Sequence, residues 1–288
     1  RRDHGACRHR HFWRKKQDMK ITFLGGGNMA NALIGGLVNK GFAAGDIAVV
    51  ELSAENRAKL AAAYGVRTFA GAEAAAWAAD VIVLAVKPQQ MKEACAPLVP
   101  HLQSQLIVSI AAGLRLADMS RWLGGHRKLV RTMPNTPALI GAGVTGMNAL
   151  PEVTAAERAA AERVMQAVGS TVWIDDEAQM DAVTAVSGSG PAYVFLFIEA
   201  LQQAGEELGF TPAQARQLAI ETTLGAAKLA ANSEEPASVL RERVTSKGGT
   251  TAAALATMGE RGVLDGIVAG VKAADARGRE LGELLGKD

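Results

Sequence analysis

Cysteine is scarce: Cys7 and Cys95 are the only two among 288 residues. Two thiols cannot build a disulfide framework and match no metal-ligand spacing, so the sequence points to a reducing, cytoplasmic setting without a bound metal. Long apolar runs are missing as well. No stretch reaches 18 uninterrupted apolar residues, and the alanine-rich segments carry charges every few positions, which predicts a chain without a membrane span. Histidine is equally thin. Five occur, three of them before residue 18, leaving His101 behind Pro100 and His126 in a Gly-Gly-His turn. Neither setting suits a general base. The first eighteen residues hold seven Lys or Arg against two acids, and without them the chain carries 24 basic and 27 acidic residues, a net charge of −3. The basic balance therefore argues for no nucleic-acid partner. Residues 1–18 lack the apolar core of a secretory signal and are expected to form a disordered leader.

What is present is an alternation. Short apolar runs at Lys20–Leu24, Ile47–Leu52, Val81–Val86, Gln105–Ile110 and Lys128–Met133 read as strands separated by helical stretches. That pattern predicts a doubly wound, mostly parallel sheet with helices on both faces. A helix at about 155–167 and a strand at 171–174 close this first domain, 19–178. From Gln179 to Leu285 only helical periodicity remains, and Thr211, Pro212 and Gln214 supply N-cap, N1 and N3 of one helix. Residues 179–288 are therefore expected to form an all-α domain.

Gly25, Gly27 and Ala30 form a G-x-G-x-x-A pattern directly after the first strand and before a helical run. A tight turn at Gly25, a bare backbone at Gly27 and a small Ala30 are what a dinucleotide pyrophosphate needs when it rests on a helix N-terminus. Glu51 ends the second strand about twenty residues further on, where a carboxylate accepts hydrogen bonds from a ribose. Ser53, Arg57 and Lys59 follow closely and suit a 2′-phosphate, so NADH and NADPH stay in competition. Lys87 stands where another strand ends at Ala85 and Val86, before Pro88, and Ser109–Gly113 ends the next. Both ends should face the ligand, as carboxyl ends do in open α/β sheets. Asn135, held between Pro134 and Pro137 after Arg131 and Met133, is the polar group expected to point into the cleft.

In the helical half, Ser187-Gly188-Ser189-Gly190-Pro191 interrupts an apolar run, a cost that close packing at a functional or subunit contact would explain. Val244–Leu255 reads as a glycine turn feeding a helix with hydroxylic first residues. Either a small-anion site or an ordinary N-cap fits that pattern.

Together these motifs resemble the pyrroline-5-carboxylate reductase family from about Met19 to the C-terminus. The likeness is carried by Phe23-Leu24-Gly25-Gly26-Gly27-Asn28-Met29, Ala85-Val86-Lys87-Pro88, Ser109-Ile110-Ala111-Ala112-Gly113, Met133-Pro134-Asn135-Thr136-Pro137, Ser187–Tyr193 and Thr245-Ser246-Lys247-Gly248-Gly249-Thr250-Thr251. The resemblance implies that residues 24–29, 85–88 and 111–113 contact NADPH or NADH. It implies that Ser246, Gly248, Gly249, Thr250 and Thr251 hold the substrate, with Thr251 nearest the chemistry. It also implies a homodimer through the C-terminal helices, assembled further into a ring in many members, and a small-molecule imine as substrate. Two positions depart from the family pattern. Lys247 replaces the proline of its Ser-Pro-Gly-Gly turn, and Glu51 replaces a small polar residue that tolerates a 2′-phosphate. Other readings of the residues are a β-hydroxyacid dehydrogenase-like enzyme with Lys87 as base, and a non-catalytic dinucleotide sensor.

Overall fold

The computed structural model describes residues 19–287; the expected leader, Cys7 included, lies outside them. The described chain divides into two compact units, one running to Met180 and taking back the chain's end from Leu281, the other spanning Asp181–Glu280.

The first unit is built on an eight-stranded sheet: β1 (Ile21–Leu24), β2 (Ile47–Val50), β3 (Arg67–Phe69), β4 (Val81–Leu84), β5 (Leu106–Ser109), β6 (Leu129–Met133), β7 (Gly143–Ala149) and β8 (Gly169–Trp173). Their order is β3-β2-β1-β4-β5-β6-β7-β8. All neighbours are parallel except β6 and β7. β1, β2, β4 and β5 are buried along their whole length, which is why they read as continuous apolar runs rather than as alternation. Side-chain alternation then feeds two cores. Ile21, Phe23, Val81 and Val83 join one face, while Leu24, Ile82, Leu84 and Ile107 join the other. Helices α1 (Asn28–Asn39), α2 (Ala54–Tyr64), α3 (Met91–Cys95), α4 (Leu116–Trp122) and α5 (Ala155–Met165) belong to this unit.

Three expected strands prove shorter at their carboxyl ends. β2 stops at Val50, β4 at Leu84 and β5 at Ser109, so Glu51, Leu52, Ala85, Val86 and Ile110 leave the sheet. Of these, Glu51, Leu52, Ala85 and Val86 enter loops that line a cleft at the carboxyl edge of the sheet. β3 and β7 were not foreseen. β3 has only three residues, none fully buried, and β7 carries glycines and polar residues that break the apolar signal.

The second unit is all α, as expected. It contains α6 (Met180–Val183, begun in the first unit), α7 (Gly190–Glu207), α8 (Pro212–Ala231), α9 (Ala237–Arg243), α10 (Thr250–Glu260) and most of α11 (Val263–Leu285), whose residues from Leu281 belong to the first unit. The expected cap of α8 is present: Thr211 accepts from the Gln214 amide and Gln214 answers at the Thr211 N–H. Ser187–Pro191 does not end the helical run. Thr184–Gly188 form one wide π turn, with the Ser189 N–H donating to the Thr184 carbonyl at 2.8 Å. This is a bulge of the kind that concentrates at functional sites. The helical run Glu177–Glu207 is also long and apolar enough, by length and composition, to cross a membrane.

Candidate active site

β1 is the strand where the chain changes direction. It runs outward to β2 and β3, then returns to β4 on β1's other side, and such a switch opens a crevice at the carboxyl edge. A cleft of about 650 Å³ lies there, lined by Leu24, Gly25, Gly26, Gly27, Glu51, Ala85, Val86 and Lys87 among others. Gly25 turns the chain at a φ of 102°, and its N–H donates to the Val50 carbonyl at 2.8 Å. A Cβ at this position would stand 2.7 Å from the Ala85 carbonyl oxygen. Only glycine fits. At Gly27 the situation is reversed, for an added Cβ would meet nothing within 4 Å. The bare backbone there leaves space for a ligand instead of relieving a clash in the protein. Gly27 is the N-cap of α1, without a side-chain cap or an acid in the first turn, so the amides and positive end of that helix are available to an anion. Ala30 is buried where α1 meets the sheet.

Glu51 lines the same cleft. Its Oε2 accepts the Gly26 N–H at 2.9 Å and its Oε1 the Ser53 N–H at 2.8 Å. The cations read as phosphate ligands are committed nearby: Arg57 donates from Nη1 to the Glu51 and Leu52 carbonyls, and Lys59 pairs with Glu55. The Ser53 hydroxyl caps α2 by accepting the Asn56 N–H.

Other expected contacts lie around the cleft without lining it. Asn28 and Met29 form the first turn of α1, and Pro88 opens a short 3₁₀ turn. Ala111, Ala112 and Gly113 follow β5 at the same edge of the sheet. Gly113 has a φ of 78° and backs onto Leu285, whose Cδ1 would stand 3.4 Å from an added Cβ. Asn135 is also outside the lining. Its side-chain oxygen accepts the Val144 N–H at 3.0 Å, its backbone oxygen accepts from Ala138, and it is buried. It fastens the turn between β6 and β7 and does not line the cleft. Sequence reasoning missed Gly71, Ala72, Trp77, Gln90, Glu93, Ala94 and Pro97, which with Val50 and Leu52 complete the lining. The first two follow β3, so missing that strand hid them. Trp77 is buried with its indole N–H unpartnered among the described residues.

In the second unit, Ser246–Gly249 form a tight turn in which the Gly249 N–H donates to the Ser246 carbonyl at 3.1 Å and Gly248 adopts a φ of 74°. α10 then starts from Gly249 as N-cap, with no side-chain cap. Thr250 and Thr251 are its first two residues, so the ordinary capping role open to them from sequence falls to a glycine. Thr223, Thr245 and Thr257 return their hydroxyls to the carbonyl four residues back; among the described residues the hydroxyls of Ser246, Thr250 and Thr251 make no such bond. In the π turn, the Ser187 hydroxyl donates to the Val183 carbonyl and the Tyr193 hydroxyl to that of Ala185.

No histidine lines the cleft among the described residues. His126 is taken up at the Gln105 carbonyl, 2.9 Å away. Cys95 is fully buried and burial pushes its thiol up to about 12, so it is inert packing.

Comparison with known proteins agrees with both units. The family profile for pyrroline-5-carboxylate reductase dimerisation matches residues 177–281, and that for NADP oxidoreductase, coenzyme F420-dependent, matches residues 20–113. A pyrroline-5-carboxylate reductase of Pseudomonas aeruginosa is 47% identical over 269 residues, covering 93% of this chain and 98% of the relative. One from Haemophilus influenzae is 43% identical over 93% and 100% of the two chains. Among solved structures, a pyrroline-5-carboxylate reductase of Coxiella burnetii superposes with a TM-score of 0.88 at 40% identity, covering 92% of this chain and 98% of its own. The Plasmodium falciparum pyrroline carboxylate reductase with NADP bound gives 0.81 at 28%, covering 92% and 99%. The chain belongs to the pyrroline-5-carboxylate reductase family.

Proposed function

We infer that the protein reduces the imine of 1-pyrroline-5-carboxylate to L-proline at the expense of NADPH or NADH, working in the cytoplasm as a homodimer, or a ring of dimers, joined through its helical unit. The carrying observation is 43–47% identity to reductases of that name along nearly the whole chain, joined to a cleft whose features fit a dinucleotide: open space over Gly27, an uncapped α1 and the Glu51 carboxylate. A reduced nicotinamide held in this cleft would supply the hydride for the carbon of the C=N bond, being oxidised as the ring nitrogen takes up a proton.

The chain's own residues bind and orient. Gly27 and the first amides of α1 receive the pyrophosphate, and Glu51 receives ribose hydroxyls. The free hydroxyls of Ser246, Thr250 and Thr251, with the uncapped amides of α10, suit the substrate carboxylate. A protonated imine is already electrophilic, so positioning supplies most of what the reaction needs. This agrees with a cleft that holds no histidine among the described residues. Lys247 adds a cation to the turn that starts α10.

The test is dinucleotide oxidation by the purified protein with pyrroline-5-carboxylate, beside 2- and 3-hydroxy acids assayed in the oxidative direction. Turnover of the imine with proline as product is the expected result. Oxidation of a hydroxy acid in its place, or binding of the dinucleotide without turnover of any of them, rejects the assignment.

A further inference from the structure

The carboxylate of Glu51 is pinned at both oxygens by backbone amides, Oε2 by Gly26 and Oε1 by Ser53. A carboxylate has about four acceptor positions, so one remains on each oxygen. Two vicinal ribose hydroxyls, each donating, complete that set. A 2′-phosphate cannot. Its oxygens are acceptors carrying about −1.5 to −2 charges near neutral pH, so it would bring acceptor against acceptor and like charge against like. Glu51 also occupies the two amides that a phosphate would otherwise use.

The two cations that follow Glu51 in sequence are drawn to other partners, Arg57 to backbone carbonyls and Lys59 to an exposed carboxylate on its own helix. Arg57 Nη1 donates to the carbonyls of Glu51 at 2.6 Å and Leu52 at 2.8 Å, and Lys59 pairs with Glu55 at 2.6 Å across the exposed face of α2. Lys87 follows β4, which β1 separates from β2, roughly 10 Å away at the spacing of sheet strands. The remaining charged lining residue, Glu93, is acidic.

We propose that Glu51 makes this enzyme select NADH over NADPH, by offering fixed acceptors to an unphosphorylated ribose and by masking the Gly26 and Ser53 amides. The inference rests on the reading that this cleft holds the dinucleotide. Its test needs no imine: the full-length protein is titrated with NADH and NADPH by nucleotide fluorescence, and kcat/KM with pyrroline-5-carboxylate is measured separately for each.

Wild type should bind NADH about 10- to 100-fold more tightly than NADPH, the range expected for a like-charge contact at a protein surface. Glu51→Gln keeps the shape and removes the charge, and should shrink that ratio about tenfold or more, chiefly through tighter NADPH. Raising ionic strength should narrow the wild-type preference by screening and leave the ratio in Glu51→Gln nearly level, a difference that a purely structural role for Glu51 would not produce. Equal affinities in wild type, a preference for NADPH, or an unchanged ratio in the variant would overturn the proposal. Should the variant fail to fold, the wild-type ratio and its salt dependence still decide. Imine reduction without a nucleotide preference sinks only this proposal, whereas NADH-selective binding without imine reduction upholds it and sinks the assigned reaction.

Discussion

A threonine at the second position of a helix has no carbonyl four residues back in its own helix to bond, and Thr251 stands at that position of α10. Its hydroxyl, unlike those of Thr245 and Thr257, is left for something outside the helix. Thr251→Val keeps the shape and deletes the hydroxyl. One hydrogen bond to a charged group contributes roughly 1.5–3 kcal/mol, so kcat/KM for pyrroline-5-carboxylate should fall about 10- to 150-fold with dinucleotide affinity nearly unchanged. A loss confined to KM would mark an anchor for the carboxylate, and a loss in kcat a part in protonating the ring nitrogen. Wild-type kcat/KM in the variant would exclude both. The contrast between Glu51 and Asn135 shows what a sequence displays at this scale. Both are polar residues at strand ends. Glu51 keeps its place in the cleft because the residue after β2 rims the switch point, whereas Asn135 is recruited by the Val144 amide of a strand that its own sequence conceals.

Elements were legible where burial is simplest. Strands covered on both faces announce themselves as unbroken apolar runs, and capped helices by their caps, as at Thr211–Gln214. β7 escaped notice because its pairing with β6 and β8 lets Thr145 and Asn148 be buried; Asn148 Nδ2 donates to the Ile174 and Asp175 carbonyls, a partnership invisible in a local window. The α5 cap carries a charge test. Glu157 answers Thr154 in a capping box and also accepts from Lys128 at 2.6 Å. Partial burial opposes its ionisation, but the hydrogen bonds from Lys128 and Thr154 outweigh that and hold its carboxyl below the usual range. A carboxyl with a lowered folded-state pKa stabilises above its unfolded pKa, and that stability is lost as pH falls through the folded value. Glu157→Gln retains the cap acceptor and deletes the ion pair. Denaturant unfolding should show a deficit of about 0.5–1 kcal/mol at neutral pH, closing as pH drops below the carboxylate range. A deficit unchanged into acid would mean that shape, not charge, is what Glu157 contributes.

At the scale of the whole molecule, the helical unit cannot be stable on the burial it shows. Of Asp181–Glu280, only Asp181, Ala185, Ala215 and Ala219 are buried, while Phe195 is 61%, Leu196 66%, Leu229 71% and Leu264 69% exposed. Ordering each residue of such a unit costs about 1–2 kcal/mol in backbone entropy alone, so apolar surface on this scale requires a cover. Two occupants are compatible with it, a second copy of the chain or a membrane, since the run Glu177–Glu207 is apolar enough for the latter. The dimerisation profile over residues 177–281 favours a second copy. Light scattering of protein extracted without detergent should therefore return a dimer or a multiple of it, with protomers of 30.0 kDa. Placing a charge on the exposed apolar surface, as in Leu196→Glu with Leu264→Glu, should dissociate the assembly, lower the unfolding temperature and abolish imine reduction together, because the helices would then expose apolar area that no contact repays. A fully active monomer, or recovery of the wild-type protein only with membranes, would show that the helical unit is covered in some other way.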